Sequence, residues 1–183
     1  MNLEHFVPDR WLFGDDPLKI TSVGVLVYTG ELKKGGFPSF LLLEQIDQPG
    51  KPWGIPAGHT EDSENDPRQT AVREVKEETR MAIDDSRLEI WLVGLSPGKN
   101  KADIVYSYLA TGDELGQIGQ WSWVEGLRIV KPENKKKGSS EIGTAVLFPA
   151  NEMFGRGHPL IKSYYRWDHM HEIKAKLEGL KII

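Results

Sequence analysis

Three glutamates give the sequence its first chemical signal. Glu74, Glu77 and Glu78 sit inside the run Arg73-Glu74-Val75-Lys76-Glu77-Glu78. On a helix turning about 100° per residue, Glu77 falls at about −60° and Glu78 at about +40° from Glu74, so the carboxylates share one narrow face. Ala71, Val72, Val75 and Thr79 form the adjoining stripe, and Arg73, Lys76 and Arg80 lie on the other side, which predicts acids at the edge of a core. Glu74 and Glu78, spaced i,i+4, repel by roughly 0.2–0.5 kcal/mol in an isolated helix, and a divalent cation would reverse that sign. Oxygen-only donors suit Mg²⁺ or Mn²⁺, ions that keep several waters and bridge carboxylates to substrate phosphates. The matching chemistry is metal-assisted hydrolysis: a polarised phosphoryl oxygen, an activated water and a neutralised leaving phosphate. The same run also reads as a solvated charged face, and the helix alone does not separate the two readings.

The elements around this run are legible from local signals. Asp66-Pro67-Arg68-Gln69 offers an N-cap Asp, a Pro at the first helical position and a Gln three residues after the cap, which predicts a helix from Pro67 to about Arg80 with a capping box. Ile20–Tyr28 is β-branched and apolar and reads as a buried strand, with Phe40–Glu44 as its partner across a Gly- and Pro-bearing turn. Six Pro and Gly residues between Pro49 and Gly58 predict a rigid loop. Further strands are expected at Leu88–Leu95, Ile104–Ala110, Trp121–Val124 and Thr144–Phe148. A closing helix is expected over about Leu160–Leu177. Lys131–Ser140, with four Lys, a Pro, a Gly and two Ser, reads as an exposed mobile loop. Mixed strands around two helices predict an α/β layered fold.

The chain's 183 residues suit one domain spanning 1–183, with 1–19 as an N-terminal extension. Without cysteine there are no disulfides, thiolate metal sites or Cys nucleophiles. The net charge of −4 argues against a broad electrostatic grip on nucleic acid, leaving no strong nucleic-acid signal. No apolar stretch approaches the roughly 20 residues that span a bilayer, and the first 20 residues hold no apolar leader core. The expectation is a soluble, cytoplasmic protein with no membrane partner.

Gly58, Glu64, Arg73-Glu74-Val75-Lys76-Glu77-Glu78 and Met81 together resemble the Nudix box, the signature of the Nudix hydrolases. The lead-in Trp53-Gly54-Ile55-Pro56-Ala57-Gly58-His59 is similar to the loop that precedes that box. The box covers about 24 residues, and the order of elements is similar to the family over most of the chain. Two positions depart from the pattern. Counting forward from Gly58 places the box Glu at Glu64, whereas counting back from Arg73 places it at Asn65, so the loop carries one extra residue. Arg80 stands where the family has a Gly after the helix, and is expected to complement the helix dipole while the helix ends one residue later.

The resemblance implies a Nudix-type α/β/α sandwich with a mixed central sheet. It implies hydrolysis of a pyrophosphate bond in a nucleoside diphosphate linked to another moiety, with Mg²⁺ (or Mn²⁺) held by Glu74, Glu77 and Glu78, and with Arg73 paired to Glu64. A further Glu from outside the box is expected as ligand or general base; Glu141 is favoured over Glu133. Pro97, 16 residues beyond Met81 (97 − 81) and within Ser96-Pro97-Gly98, is similar to the ADP-ribose pyrophosphatase branch, although Pro-Gly is also simply a good turn. ADP-ribose or a nucleotide sugar is therefore the leading substrate class. A nucleoside triphosphate pyrophosphatase is the alternative, because only about 20 residues precede the first core strand. A non-catalytic nucleotide sensor of the same fold is the third reading. Gly58, His59, Trp53 and Pro97 are the expected substrate contacts, and Trp11, Phe13, Tyr28, Trp121 and Trp123 are further aromatics able to stack on a base. The implied partner is a small-molecule nucleotide, and a homodimer is left open.

Overall fold

The computed structural model describes residues 12–13, 16–17, 19–32, 36, 38–45, 53–95, 101–124, 126–131, 142–153 and 170–181. A short ribbon of β1 (Leu12–Phe13) and β2 (Asp16–Pro17) comes first. The central strand β3 (Lys19–Thr29) is followed by β4 (Ser39–Gln45), β5 (Trp53–Gly54), β6 (Ala57–His59) and helix α1 (Pro67–Thr79). After a 3-10 turn at Asp85–Arg87 come β7 (Glu89–Leu95), β8 (Lys101–Leu109), α2 (Gly112–Gly116), β9 (Ser122–Val124), β10 (Leu127–Val130), β11 (Ile142–Pro149), α3 (Ala150–Met153) and α4 (Met170–Gly179).

The main sheet has the order β7-β8-β3-β4-β11-β10-β9, with β5 on β4 and β6 on β3. Only the β3–β8 pairing in it is parallel. Neighbours β3 and β4 pair at just two positions, Tyr28 with Phe40 and Thr29 with Ser39, and then diverge. The gap is filled by the breaker-rich loop, whose β5 segment bonds to β4 and whose β6 segment bonds to β3. A Pro-rich stretch can serve here because only two or three residues at a time need to donate to a neighbour.

Alternation along β3 and β4 divides the core into two layers. Val23, Val25, Val27, Leu41 and Leu43 point to one face, where they pack with Ala71, Val75 and Met81 of α1 and its exit. Leu26, Phe40 and Leu42 point to the other face, where they pack with Trp53, Ile55, Val105 and Phe148 and with Ile173 and Leu177 of α4. This is the expected α/β/α sandwich. The predicted strands are all present with ends shifted by a few residues, and β1, β2, β5, β6, β10, α2 and α3 are additional. The closing helix lies C-terminal to its expected start, at Met170–Gly179, and 154–169 fall outside the described residues. The loop 132–140, Glu133 and Glu141, Ser96-Pro97-Gly98 and Trp11 likewise lie outside the described residues.

Both ends of α1 differ from expectation in an instructive way. Asp66 caps the helix by accepting from Arg68 N at 2.8 Å, but Gln69 Oε1 accepts from Asn65 N at 3.0 Å and not from the cap's own amide. Gln69 thus satisfies the amide one residue before the cap, and the expected reciprocal capping box is not formed. At the other end the helix stops at Thr79, and Arg80 itself adopts the left-handed conformation, φ 66° and ψ −2°, donating its N–H to Lys76 O at 2.8 Å. Arg80 is thus a left-handed cap with a side chain, and the expected later ending is corrected. That conformation costs an L-residue about 1–2 kcal/mol relative to glycine. Arg80→Gly is accordingly expected to stabilise the fold by about 0.5–1 kcal/mol and to raise the melting temperature by roughly 1–4 °C. A melting temperature equal to or below wild type in calorimetry would refute the assignment of strain to this residue.

Candidate active site

The site is built on the segment that fills the gap between β3 and β4. Trp53 and Ile55 are buried in the α4-side core, and Pro56 O accepts from Val25 N at 2.8 Å. Ala57, Gly58 and His59 pair with Gly24, Val23 and Ser22. These bonds fix the loop to the central strand, and α1 packs against both β3 and β6. Gly58 lies directly beneath the Glu74 carboxylate, so close that a Cβ built there would overlap Glu74 Oε1. The glycine is required at this position because no side chain fits between β6 and the acid.

Arg73 is the hub. Its Nε donates to Glu64 Oε1 at 2.9 Å, its Nη1 to Glu74 Oε1 at 2.5 Å and to Glu77 Oε2 at 3.4 Å, and its Nη2 to the His59 carbonyl at 2.9 Å. Glu61 Oε1 stands 3.7 Å from Nε. The count forward from Gly58 is therefore the correct one: Glu64 is the box acid paired to Arg73. A turn absorbs the extra residue, with Glu64 N donating to Glu61 O at 3.0 Å and Glu64 Oε2 accepting from Glu61 N at 2.8 Å. Thr70 Oγ1 adds a 2.6 Å bond to the same oxygen. Thr70 and Glu61 were not singled out from the sequence. A threonine buried on the apolar stripe of a helix, needing a partner for its hydroxyl, was the signal that could have found the first.

The electrostatics follow from these contacts. Hydrogen bonding from Arg73 lowers the Glu64 carboxyl to about 2, with Thr70 and the Glu61 amide assisting. Glu74 moves the other way, because burial outweighs the stabilisation Arg73 gives its charged form. Glu78 is half-buried and its Oε2 accepts from Ala57 N at 3.2 Å, whereas Glu77 is exposed. The acidic stripe, expected at the edge of the core, thus grades from buried Glu74 through Glu78 to exposed Glu77. Among the described residues no three His, Asp or Glu side chains converge as a ready-made metal cage. Arg73 and Glu77 also line an open cleft of about 810 Å³ with Gln69, Lys76, Asp84 and Asp85.

Of the other expected contacts, His59 is exposed beside the hub, which its carbonyl joins, and Trp53 is a core residue, only 7% exposed. The register of Trp53 opposite Glu44 turns its indole to the α4 side, where it packs in the core.

Fold and site together define an α/β/α scaffold of the Nudix type, with a carboxylate helix docked on a splayed central strand. The chain belongs to the Nudix family, the Nudix hydrolases: the family profile described as NUDIX domain matches residues 18–168. No protein of curated function matches the sequence significantly. Among solved structures it is similar to the NUDIX domain of Shewanella oneidensis NrtR complexed with ADP ribose, at 14% identity and a TM-score of 0.52, covering 88% of each chain. The NrtR structure complexed with a 27mer DNA matches at 15% identity and a TM-score of 0.50, over 87% of this chain and 61% of that one. A MutT/nudix family protein from Enterococcus faecalis matches at 18% identity and a TM-score of 0.40, over 55% of this chain and 39% of that one. The chain thus spans less than two thirds of the length of the last two. Among the described residues no helix is long and apolar enough to cross a membrane.

Two variants test the site's architecture. Gly58→Ala should displace the Glu74 carboxylate, lowering stability by roughly 1–3 kcal/mol and weakening Mg²⁺ binding measured by calorimetry; unchanged values for both would refute the close approach. The depressed Glu64 carboxyl contributes stability that is fully present above its unfolded value near 4.5 and is lost as pH falls through about 2. In urea titrations between pH 6 and pH 2, Glu64→Gln should therefore flatten the acid limb of the stability curve. A limb as steep as wild type would show that this pairing is not what is being titrated.

Proposed function

We propose that the protein hydrolyses the pyrophosphate bond of a nucleoside diphosphate linked to another moiety, ADP-ribose or a nucleotide sugar, in a Mg²⁺-dependent reaction. The observation that carries the reading is the Arg73 hub, which gathers Glu64 of the preceding turn with Glu74 and Glu77 of the family's helix, while Glu78 is held from the Ala57 amide. The donor set fits the ion, because Mg²⁺ takes hard oxygen ligands and is commonly held by one or two carboxylates plus substrate phosphates and water, without a complete protein cage. Glu74, Glu77 and Glu78 would hold it, and Mn²⁺ suits the same oxygens. When bound, the ion supplies charge neutralisation at the phosphates and lowers the pKa of a coordinated water.

The chain's own residues supply position. Arg73 fixes the carboxylate of Glu74 and the loop carbonyl of His59 through one planar fork, so helix and loop move as a unit. The Glu78 carboxylate, fixed through Oε2, faces the loop from the half-buried edge of the helix. Glu141, in preference to Glu133, is our choice for the general base outside the box. The preference for ADP-ribose rests on Ser96-Pro97-Gly98 and accords with the ligand of the NrtR domain. Retention of all three box carboxylates favours an enzyme over a nucleotide sensor. We also propose that the protein is cytoplasmic and that residues 1–183 form one Nudix-type domain.

The deciding experiment incubates the protein and Glu78→Gln with Mg²⁺ and a panel of ADP-ribose, other nucleoside-diphosphate sugars, dinucleoside polyphosphates and nucleoside triphosphates. Turnover of ADP-ribose or a nucleotide sugar is expected, falling at least 100-fold in the variant, with removal of the metal by chelator abolishing it. Turnover confined to triphosphates would select the pyrophosphatase alternative. Binding without turnover across the panel would select the sensor.

A further inference from the structure

The far end of the main sheet carries an unusual surface. On the α1-facing side, one cross-strand row runs from Leu41 on β4 to Leu147 on β11, Arg128 on β10 and Trp123 on β9. Its first two members are buried in the core, but Trp123 is 73% exposed, the most exposed large apolar side chain among the described residues. Helix α1 lies over β3 and β6 and leaves this end of the row uncovered. Trp121, two residues before Trp123 and on the same face, is anchored by its indole N–H to Leu115 O at 2.9 Å. The Arg128 guanidinium lies 5.5 Å from the Trp121 ring centre and makes no ion pair with any described residue. A flat indole left in water beside a cation that no described acid pairs is costly as bare surface and well matched to a planar π-system that carries negative charge.

We propose that Trp123 and Arg128 form the subsite for the nucleobase of a nucleotide, the base stacking on the Trp123 indole and the guanidinium facing the nucleotide's negative charge. Trp121 is the positioning residue, its ring centre 5.5 Å from the guanidinium beside the stacking surface. The platform opens on the same face of the sheet as the box helix, which lies over β3 and β6, beyond β4 and so more than about 14 Å away. A base bound there and phosphates at the box therefore lie on one side of the molecule. The proposal rests on the reading of the protein as a nucleotide hydrolase, but base binding itself requires no turnover.

The test uses AMP, which has a base and a phosphate but no pyrophosphate bond, in equilibrium binding to the full chain read by calorimetry and by tryptophan emission. Trp123→Ala should weaken AMP binding about 10-fold or more, the size expected for loss of a base–aromatic stack, and Trp123→Phe should restore most of it. Arg128→Gln should weaken AMP more than adenosine. In turnover, Trp123→Ala should raise KM for ADP-ribose with kcat little changed, and leave unchanged the KM for a pyrophosphate lacking a base, such as phosphoribosyl pyrophosphate. Since the side chain is exposed, an unchanged melting temperature verifies folding. AMP binding within twofold of wild type in Trp123→Ala, or equal losses for base-bearing and base-free ligands, would overturn the proposal. So would a wild-type dimer in sedimentation that Trp123→Ala dissolves without affecting AMP. If the wild type binds AMP through Trp123 yet hydrolyses nothing, the hydrolase reading fails and the subsite stands.

Discussion

The Arg73 guanidinium stands among four carboxylates, those of Glu61, Glu64, Glu74 and Glu77, and the rest of the site depends on that one cation. A helix bearing three acids on one face, docked against a sheet so that one acid is buried, is electrostatically unfavourable by itself. Arg73 offsets this from the same helix, so the compensating charge arrives with the element that needs it. Its planar fork also reaches the His59 carbonyl, which couples helix placement to loop placement. Glu64 is the partner most strongly affected, with its carboxyl drawn far below the usual range, whereas burial keeps Glu74 on the raised side despite the same neighbour. One cation thus serves two acids whose environments push them in opposite directions.

That arrangement is possible only because β3 and β4 part after two pairings. The parting admits β5 and β6, brings Gly58 beneath Glu74, and gives α1 a platform made of β3 and β6 together. On the opposite side of the sheet α4 is held by apolar contacts of Ile173 and Leu177 and by Lys176, whose ammonium donates to Trp91 O at 2.6 Å and stands 4.0 Å from the Trp91 ring centre. Burial there lowers the lysine's pKa, a cost that the carbonyl and the ring partly offset. The face that carries the box helix and the supporting face are therefore built from alternate residues of the same strands. A change in the register of β3 would exchange them.

A network at the exit of α1 holds the helix to the sheet from a second direction. Tyr108 donates its hydroxyl to Glu114 Oε1 at 2.6 Å and accepts from Asp84 N at 3.1 Å, while Arg87 pairs with Glu114 at 2.7 Å and covers the Tyr108 ring. The 3-10 turn and α2 are thereby joined to β8. Asp84 and Asp85, at the end of this network, line the cleft beside α1 together with Arg73 and Glu77.

Much of this was legible in the sequence, and for identifiable reasons. Apolar alternation gave the strands, Asp66-Pro67 gave the start of α1, and the spacing of the three glutamates gave their common face, because each is a property of residues close along the chain. The family resemblance supplied Glu64 as the partner of Arg73 despite the shifted count, and the turn at Glu61–Glu64 shows how the extra residue is accommodated. Local signals did not reveal that Trp53 is core, that Arg80 would itself take the left-handed cap, or that Trp123 and Arg128 stand opposite each other. Those facts depend on which strand lies beside which, and on how much of a sheet face a helix covers. The chain by itself determined the chemistry its residues can perform and the elements that carry them; only the tertiary structure decided which side chains meet, because pairing across strands far apart in sequence is set by packing of the whole.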